Sequence, residues 1–331
     1  MQTLSDPLRA ARVAVRSGRF RDAAVALAEL PPEAREAPEW YLLSAMAAWR
    51  LGDFEFSRKL ALEARARFRT VGDADGEMRG ENVAAAGAFG LGDLAAAEQG
   101  FARATELARE IGDDLMVARC SNNLGNISLY LARHDAALGF YRAARAGFER
   151  LAFDHGIAET WINTAITARD LGRYADAAAA SDRALEAADR AGSNRLLGEA
   201  LSSRGEAMAA LGEAAVGRAQ VERGLALAQA EGDKLAEADA LRILGNIARG
   251  EGRPAEAERL ARQGLDVATL LRHPWTVAEI RRDLGELYVA LRRPADAAAC
   301  FRAAEAAFRQ LGSTPRADAM RARADEAEAT P

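Results

Sequence analysis

Six of the seven asparagines in this 331-residue chain, Asn82, Asn122, Asn123, Asn126, Asn163 and Asn246, fall on three columns of a 40-residue frame. Asparagine suits helix interiors poorly, because its side chain competes for backbone hydrogen bonds. Its concentration there calls for an offsetting gain. Each amide offers two donors and an acceptor, so a row of them could pair with the backbone of an extended peptide whatever its sequence. The same amides could instead bridge neighbouring helices inside the fold. No other constellation suggests chemistry. His134, His155 and His273 share no metal-ligand spacing and read as surface residues. Phosphate-binding glycine loops and the GxSxG elbow are missing, and no carboxylate pair stands out. The expectation is a protein that is not an enzyme, with no catalytic residue, metal or cofactor.

The elements that position these amides follow from the frame. With column 1 at Pro38, Met78, Ala118, Ala158, Gly198, Ala238 and Ala278, column 14 holds Leu51, Leu91, Leu131, Leu171, Leu211, Glu251 and Leu291. Column 8 (from Ala45), column 20 (from Ser57) and column 27 (from Ala64) contain only alanine, glycine or serine. Such columns mark helix surfaces that approach closely. Val71-Gly72, Ile111-Gly112, Ala191-Gly192 and Leu311-Gly312 look like left-handed helix caps, and Pro7, Pro254, Pro294 and Pro315 sit where helices should start. Each frame therefore reads as a first helix, a turn and a longer second helix. The expected fold is all-α: a right-handed solenoid superhelix of about eight hairpins over residues 1–313, the first one short and opening at Leu4. A capping helix and tail follow over 314–331.

At about 100° per residue, columns 4, 7, 8 and 11 of the first helix fall on one arc and columns 2, 5, 6, 9 and 13 on the opposite one. The second arc carries the asparagines and is the expected groove. Met46, Trp49, Phe89, Leu129 and Tyr130 make its early part apolar. Later, Glu199, Glu206, Asp239, Arg242, Arg249, Glu279, Arg282, Asp283 and Glu286 mix both signs, which suits a partner of mixed charge.

These columns resemble the tetratricopeptide repeat over roughly residues 4–313. Leu124-Gly125-Asn126, Leu244-Gly245-Asn246 and Leu284-Gly285 reproduce its leucine–glycine pair, Ala137, Tyr141 and Ala144 its second-helix signature, and Trp161 its tryptophan. Arg204 departs from the pattern, standing where the leucine belongs, and of the first-helix tyrosines only Tyr288 is kept. The 40-residue length is similar to the extended subclass in kinesin light chains, spindle-orientation scaffolds and bacterial peptide-sensing or MalT-like regulators. The resemblance implies binding of a peptide or partner protein along the first-helix face. The carboxylate clamp of chaperone-binding relatives is only partly matched by Asn122, Asn126 and Asn163, because its lysine is absent and Glu199 would repel a carboxylate.

Composition narrows the partners. The net charge of −5, with 42 arginines and two lysines interleaved among acids, leaves no basic stripe for nucleic acid. The N-terminal stretch lacks the apolar core of a secretory signal, and no run is apolar enough for a membrane span. Cys120 and Cys300 stand alone and read as small buried residues. The expectation is a cytoplasmic, monomeric adaptor for a protein or peptide ligand. A peptide-sensing regulatory subunit and a self-associating structural protein are the alternatives.

Overall fold

The computed structural model describes residues 6–329, all helical apart from the connections between helices. Leu4, the expected opening of the first hairpin, lies outside them, as do residues 330–331. The chain divides into two compact units, Met1–Ile127 and Ser128–Pro331. The first contains α1 (Arg9–Arg16), α2 (Phe20–Ala28), α3 (Pro32–Arg35), α4 (Pro38–Arg50), α5 (Phe54–Val71), α6 (Ala74–Gly90), α7 (Leu94–Ile111) and most of α8 (Asp114–Tyr130). The second holds α9 (His134–Arg150), α10 (Asp154–Asp170), α11 (Tyr174–Arg190), α12 (Asn194–Ala210), α13 (Ala214–Glu231), α14 (Lys234–Gly250), α15 (Pro254–Leu270), α16 (Pro274–Ala290), α17 (Pro294–Gln310) and α18 (Thr314–Glu328). Among the described residues, eight hairpins, the short α3 and a final α18 account for every helix, which is the solenoid architecture the frame implies.

The small columns are where helices touch. Ala45, Ser57, Ala64, Ala97, Ala104, Ala137, Ala144 and Ala165 are all buried. Columns 8 and 20 face each other within a hairpin: the Ser57 hydroxyl donates to the Ala45 carbonyl at 2.9 Å. A Cβ on Gly205 would meet the Gly217 carbonyl oxygen at 2.5 Å. Columns 1 and 27 form the second contact, where a Cβ on Gly264 would lie 2.9 Å from the Ala238 carbonyl oxygen. Two close approaches per hairpin exclude bulk at both.

The chain reverses through a left-handed residue after α1 and after each helix from α4 to α17. Gly72, Gly112, Gly192 and Gly312 have positive φ as the cap reading requires, and Ala132, Ala152, Arg272 and Arg292 occupy equivalent slots without glycine's freedom. The leucines of column 14 cap first helices and stay partly exposed at Leu51, Leu91, Leu171 and Leu211, so they are not core residues. Asp53, Asp73, Asp93, Asp113 and Asp233 cap helix N-termini, each accepting a backbone N–H three residues on. Arg204 turns its guanidinium to Asp182 at 2.6 Å, which explains how a charge is tolerated in the leucine slot.

In the second unit, first helices pack on one another (α10 on α12, α12 on α14, α14 on α16), and among the described residues no pair of its second helices packs comparably. This unit therefore curves with its first helices inside.

Candidate functional site: the faces of the first helices

In the first unit, groove columns 5, 6 and 9 carry neutral side chains, while Glu39, Arg79 and Arg119 stand on column 2 and Arg50 on column 13. Met46 and Trp49 on α4, Asn82 and Phe89 on α6, and Asn123 and Asn126 on α8 are half-buried, and Asn122 is buried. The Arg50 guanidinium lies 4.6 Å from the Trp49 ring centroid. Asn82 accepts a long contact from the Cys120 thiol at 3.6 Å, which links α6 to α8. Burial pushes that thiol up to about 12, so Cys120 stays protonated and inert.

In the second unit the same columns are ionic, and the charges satisfy one another. Arg169 donates to Asp170 at 2.7 Å and to Glu206 at 2.9 Å. Arg242 reaches Glu206 at 3.3 Å and Asp283 at 3.0 Å. Arg282 lies 2.8 Å from Asp283 and 2.9 Å from Glu279. Arg316, at the start of α18, closes the circuit with Glu279 at 3.6 Å and Asp170 at 2.5 Å. The result is a ring of four guanidinium and four carboxylate groups, alternating in sign without interruption. Burial works against the charge on Asp170, but Arg169 and Arg316 outweigh it and hold the carboxyl well below the usual range. Burial likewise opposes the charge on Asp283, which Arg282, Arg242 and a 2.6 Å hydrogen bond from the Asn246 amide keep ionised.

This corrects two expectations. Mixed charge on these columns was assigned to complement a partner, yet Glu206, Arg242, Glu279, Arg282 and Asp283 complement each other. Arg242, assigned to the peptide groove, is 2% exposed and committed to Asp239, Glu206 and Asp283. Asn246 bridges α14 to α16, as in the helix-bridging alternative, and Asn163 is half-buried on α10.

Sequence reasoning gave Trp275 and Arg316 no role and set Tyr130 in the apolar early groove, whereas Tyr130 belongs to the second unit beside the ring. Tyr130 stacks on Trp275, with ring centroids 3.7 Å apart and planes 3° from parallel, and the edge of Phe308 packs against Trp275. The Ser313 hydroxyl donates to the Tyr130 carbonyl at 2.5 Å, across 183 positions of sequence. The 40-residue period relates neighbouring hairpins but carries no signal for contacts this distant.

A smaller cluster joins α10 and α12. Arg195 donates to Glu199 at 2.5 Å and to Glu159 at 3.2 Å, and His155 lies 3.5 Å from Glu159. Burial outweighs the Arg195 charge and, with Asp233 and Glu159 nearby, pushes Glu199 up to about 7. His155 keeps 41% of its side chain exposed, whereas His134 and His273 are half-buried; His273 caps α16, and burial lowers its pKa. Among the described residues no group of histidine, cysteine or acidic side chains could hold a metal ion, and no helix is long and apolar enough to cross a membrane.

The tetratricopeptide repeat family model matches residues 78–150. Among solved structures, the chain is similar to a Rap protein complexed with competence and sporulation factor, at 14% identity over 99% of this chain and 98% of that one, with a TM-score of 0.67. It is similar to NprR in complex with its cognate peptide NprX, at 15% identity over 98% of each chain and a TM-score of 0.66. Aspartyl phosphate phosphatase F from Bacillus subtilis aligns over 99% of this chain and 95% of that one, at 12% identity and a TM-score of 0.55. No curated protein matches the sequence. At these identities the likeness establishes the fold.

Proposed function

We propose that this tetratricopeptide-repeat protein is a non-catalytic, cytoplasmic receptor for an extended peptide or disordered protein segment, which it takes on the face of its first helices. The observation that carries the reading is the gathering of Asn82, Asn122, Asn123 and Asn126 with Met46, Trp49 and Phe89 on one helix face of the first unit. Amides supply sequence-independent contacts to a peptide backbone, and the aromatic and methionine side chains supply an apolar anchor. Two of the solved structures that share the fold are complexes, the Rap protein with competence and sporulation factor and NprR with its cognate peptide NprX, which supports the same use here. Asn163, Asn246 and Arg242 occupy the equivalent face in the second unit, where at least Asn246 and Arg242 serve the ionic ring.

Co-purification from the native organism tests this reading. The wild-type chain should retain a peptide or protein that an Asn123→Ala/Asn126→Ala variant of unchanged helicity releases. Retention of the same partner by both would contradict it.

A second reading, a sensor that regulates a separately encoded enzyme or transcription factor, is favoured by the ionic ring. A closed set of charge pairs is an element with two discrete arrangements, which a ligand can bias. Compaction or expansion by small-angle scattering on adding the co-purified peptide would support it, and an unchanged profile would favour a rigid adaptor.

A further inference from the structure

We propose that α18 is a strap that holds the inner face of the second unit shut, with Arg316 as its plug, and that this face opens when the guanidinium leaves its seat. The proposal rests on the first-helix face being the ligand face only for its purpose, since the latch itself is read from contacts within the second unit.

Three observations converge on it. Arg316 is the one ring member that no hairpin supplies: the other seven stand on α10, α12, α14 and α16, whereas Arg316 reaches Asp170 from 146 positions away. Its seat is built on every side. Asp170 lies at 2.5 Å, Glu279 at 3.6 Å, the Leu129 carbonyl at 3.4 Å and the Trp275 ring centroid at 4.9 Å. Without Arg316, the ring would keep four carboxylates against three guanidinium groups, leaving a buried site with an excess negative charge that only a cation can balance.

Ser313 makes the second observation. It stands at the N-cap of α18 but makes no side-chain cap there, and its hydroxyl instead donates to the Tyr130 carbonyl. Tyr130 and Leu129 end α8, where the helix dipole favours a cation, and the Leu129 carbonyl also accepts from the Ala132 N–H at 3.0 Å. The first turn of α18 thus serves a distant helix before its own.

The third is how α18 is held and where its plug is loose. Its buried side chains are Ala317, Met320, Ala324 and Ala327, mostly small, and exposed ion pairs such as Arg302 with Asp325 supply the rest. Arg316 Nε and Glu279 Oε1 are both buried and have no hydrogen-bond partner among the described residues. A network left partly satisfied is tight enough to hold yet open to displacement by a competing cation.

Hydrogen exchange on the full chain tests the strap. Arg316→Ala should raise exchange about tenfold at the last turn of α8 and the first turns of α16 and α18, while α13 stays unchanged. Low-millimolar guanidinium should restore protection by refilling the seat, and the same concentration of ammonium should not. Unchanged exchange at these turns, or equal rescue by both cations, would overturn the proposal. If Arg316→Ala fails to fold, Ser313→Ala keeps the plug and removes only the tether; a smaller rise at the same turns is expected, and no rise would count equally against the strap. Because no peptide is present, the result is independent of whether the first-helix face binds one.

Discussion

On the first helices of the first unit, the inward columns carry Met46, Asn82, Asn122, Asn123 and Asn126, and on those of the second they carry Arg242, Arg282, Asp283, Glu206 and Glu279. Both units repeat the same hairpin frame with the same small residues at the contact columns. Packing and lining are thus separable: alanine and glycine set how hairpins approach, and the opposite arc is free to carry amides or charges. An amide is uncharged and needs no counter-ion when a neighbour is lost. A ring of alternating charge must keep every member paired, which makes the second unit dependent on each of them.

That contrast predicts unequal sensitivity. Arg242→Ala strips the buried Asp283 carboxylate and the half-buried Glu206 carboxylate of one partner each and should lower the stability of the second unit by about 3–5 kcal/mol in urea denaturation. A loss below about 1 kcal/mol would show that the ring is solvated and that the two faces differ less than described. Gly205→Ala forces a Cβ against the Gly217 carbonyl and should cost about 1–3 kcal/mol without touching the lining, measured the same way.

The second unit should also carry the pH dependence. Asp170 and Asp283 are depressed, so their contribution is complete above the unfolded carboxylate value and is lost as pH falls below about 4. Glu199 is raised to about 7, so its contribution has the opposite sign: it is complete below the unfolded carboxylate value and is lost as pH climbs from there to about 7. Stability should peak at about pH 4–5, where the two limbs meet. Asp283→Asn should flatten the acid limb and Glu199→Gln the neutral one, as read from urea midpoints across pH. A neutral limb that persists in Glu199→Gln would assign it elsewhere.

Smaller effects sharpen the comparison. Arg292→Gly relieves a non-glycine residue at φ 54° and should stabilise by about 1 kcal/mol in thermal unfolding, because left-handed backbone strains any residue with a Cβ. Asn123→Ala in the first unit, at a half-buried position outside the ion pairs, should change stability by less than about 1 kcal/mol, while weakening peptide binding by about 1–3 kcal/mol in calorimetry.

Much of this was legible because it is local. Glycine after Val71, Ile111, Ala191 and Leu311 announced left-handed caps, and the uninterrupted small columns announced helix contacts, since both depend on residues that the 40-residue frame places side by side. The ring was legible only in part. Glu206, Arg242, Arg282 and Asp283 were visible as a charged face, but their pairing with one another depends on how tightly successive first helices pack. Arg316, Ser313, Tyr130 and Trp275 meet because of the curvature accumulated over several hairpins. Curvature is a sum of small rotations per repeat, and no residue type encodes it.

The most direct test of the first-helix face as the receptor is hydrogen exchange on the full chain with and without the peptide that co-purifies with it. Protection should appear on α4, α6 and the Asn122–Asn126 stretch of α8, leaving the second helices α5 and α7 unchanged. Protection confined to α5 and α7 would place the ligand on the opposite side and contradict the account.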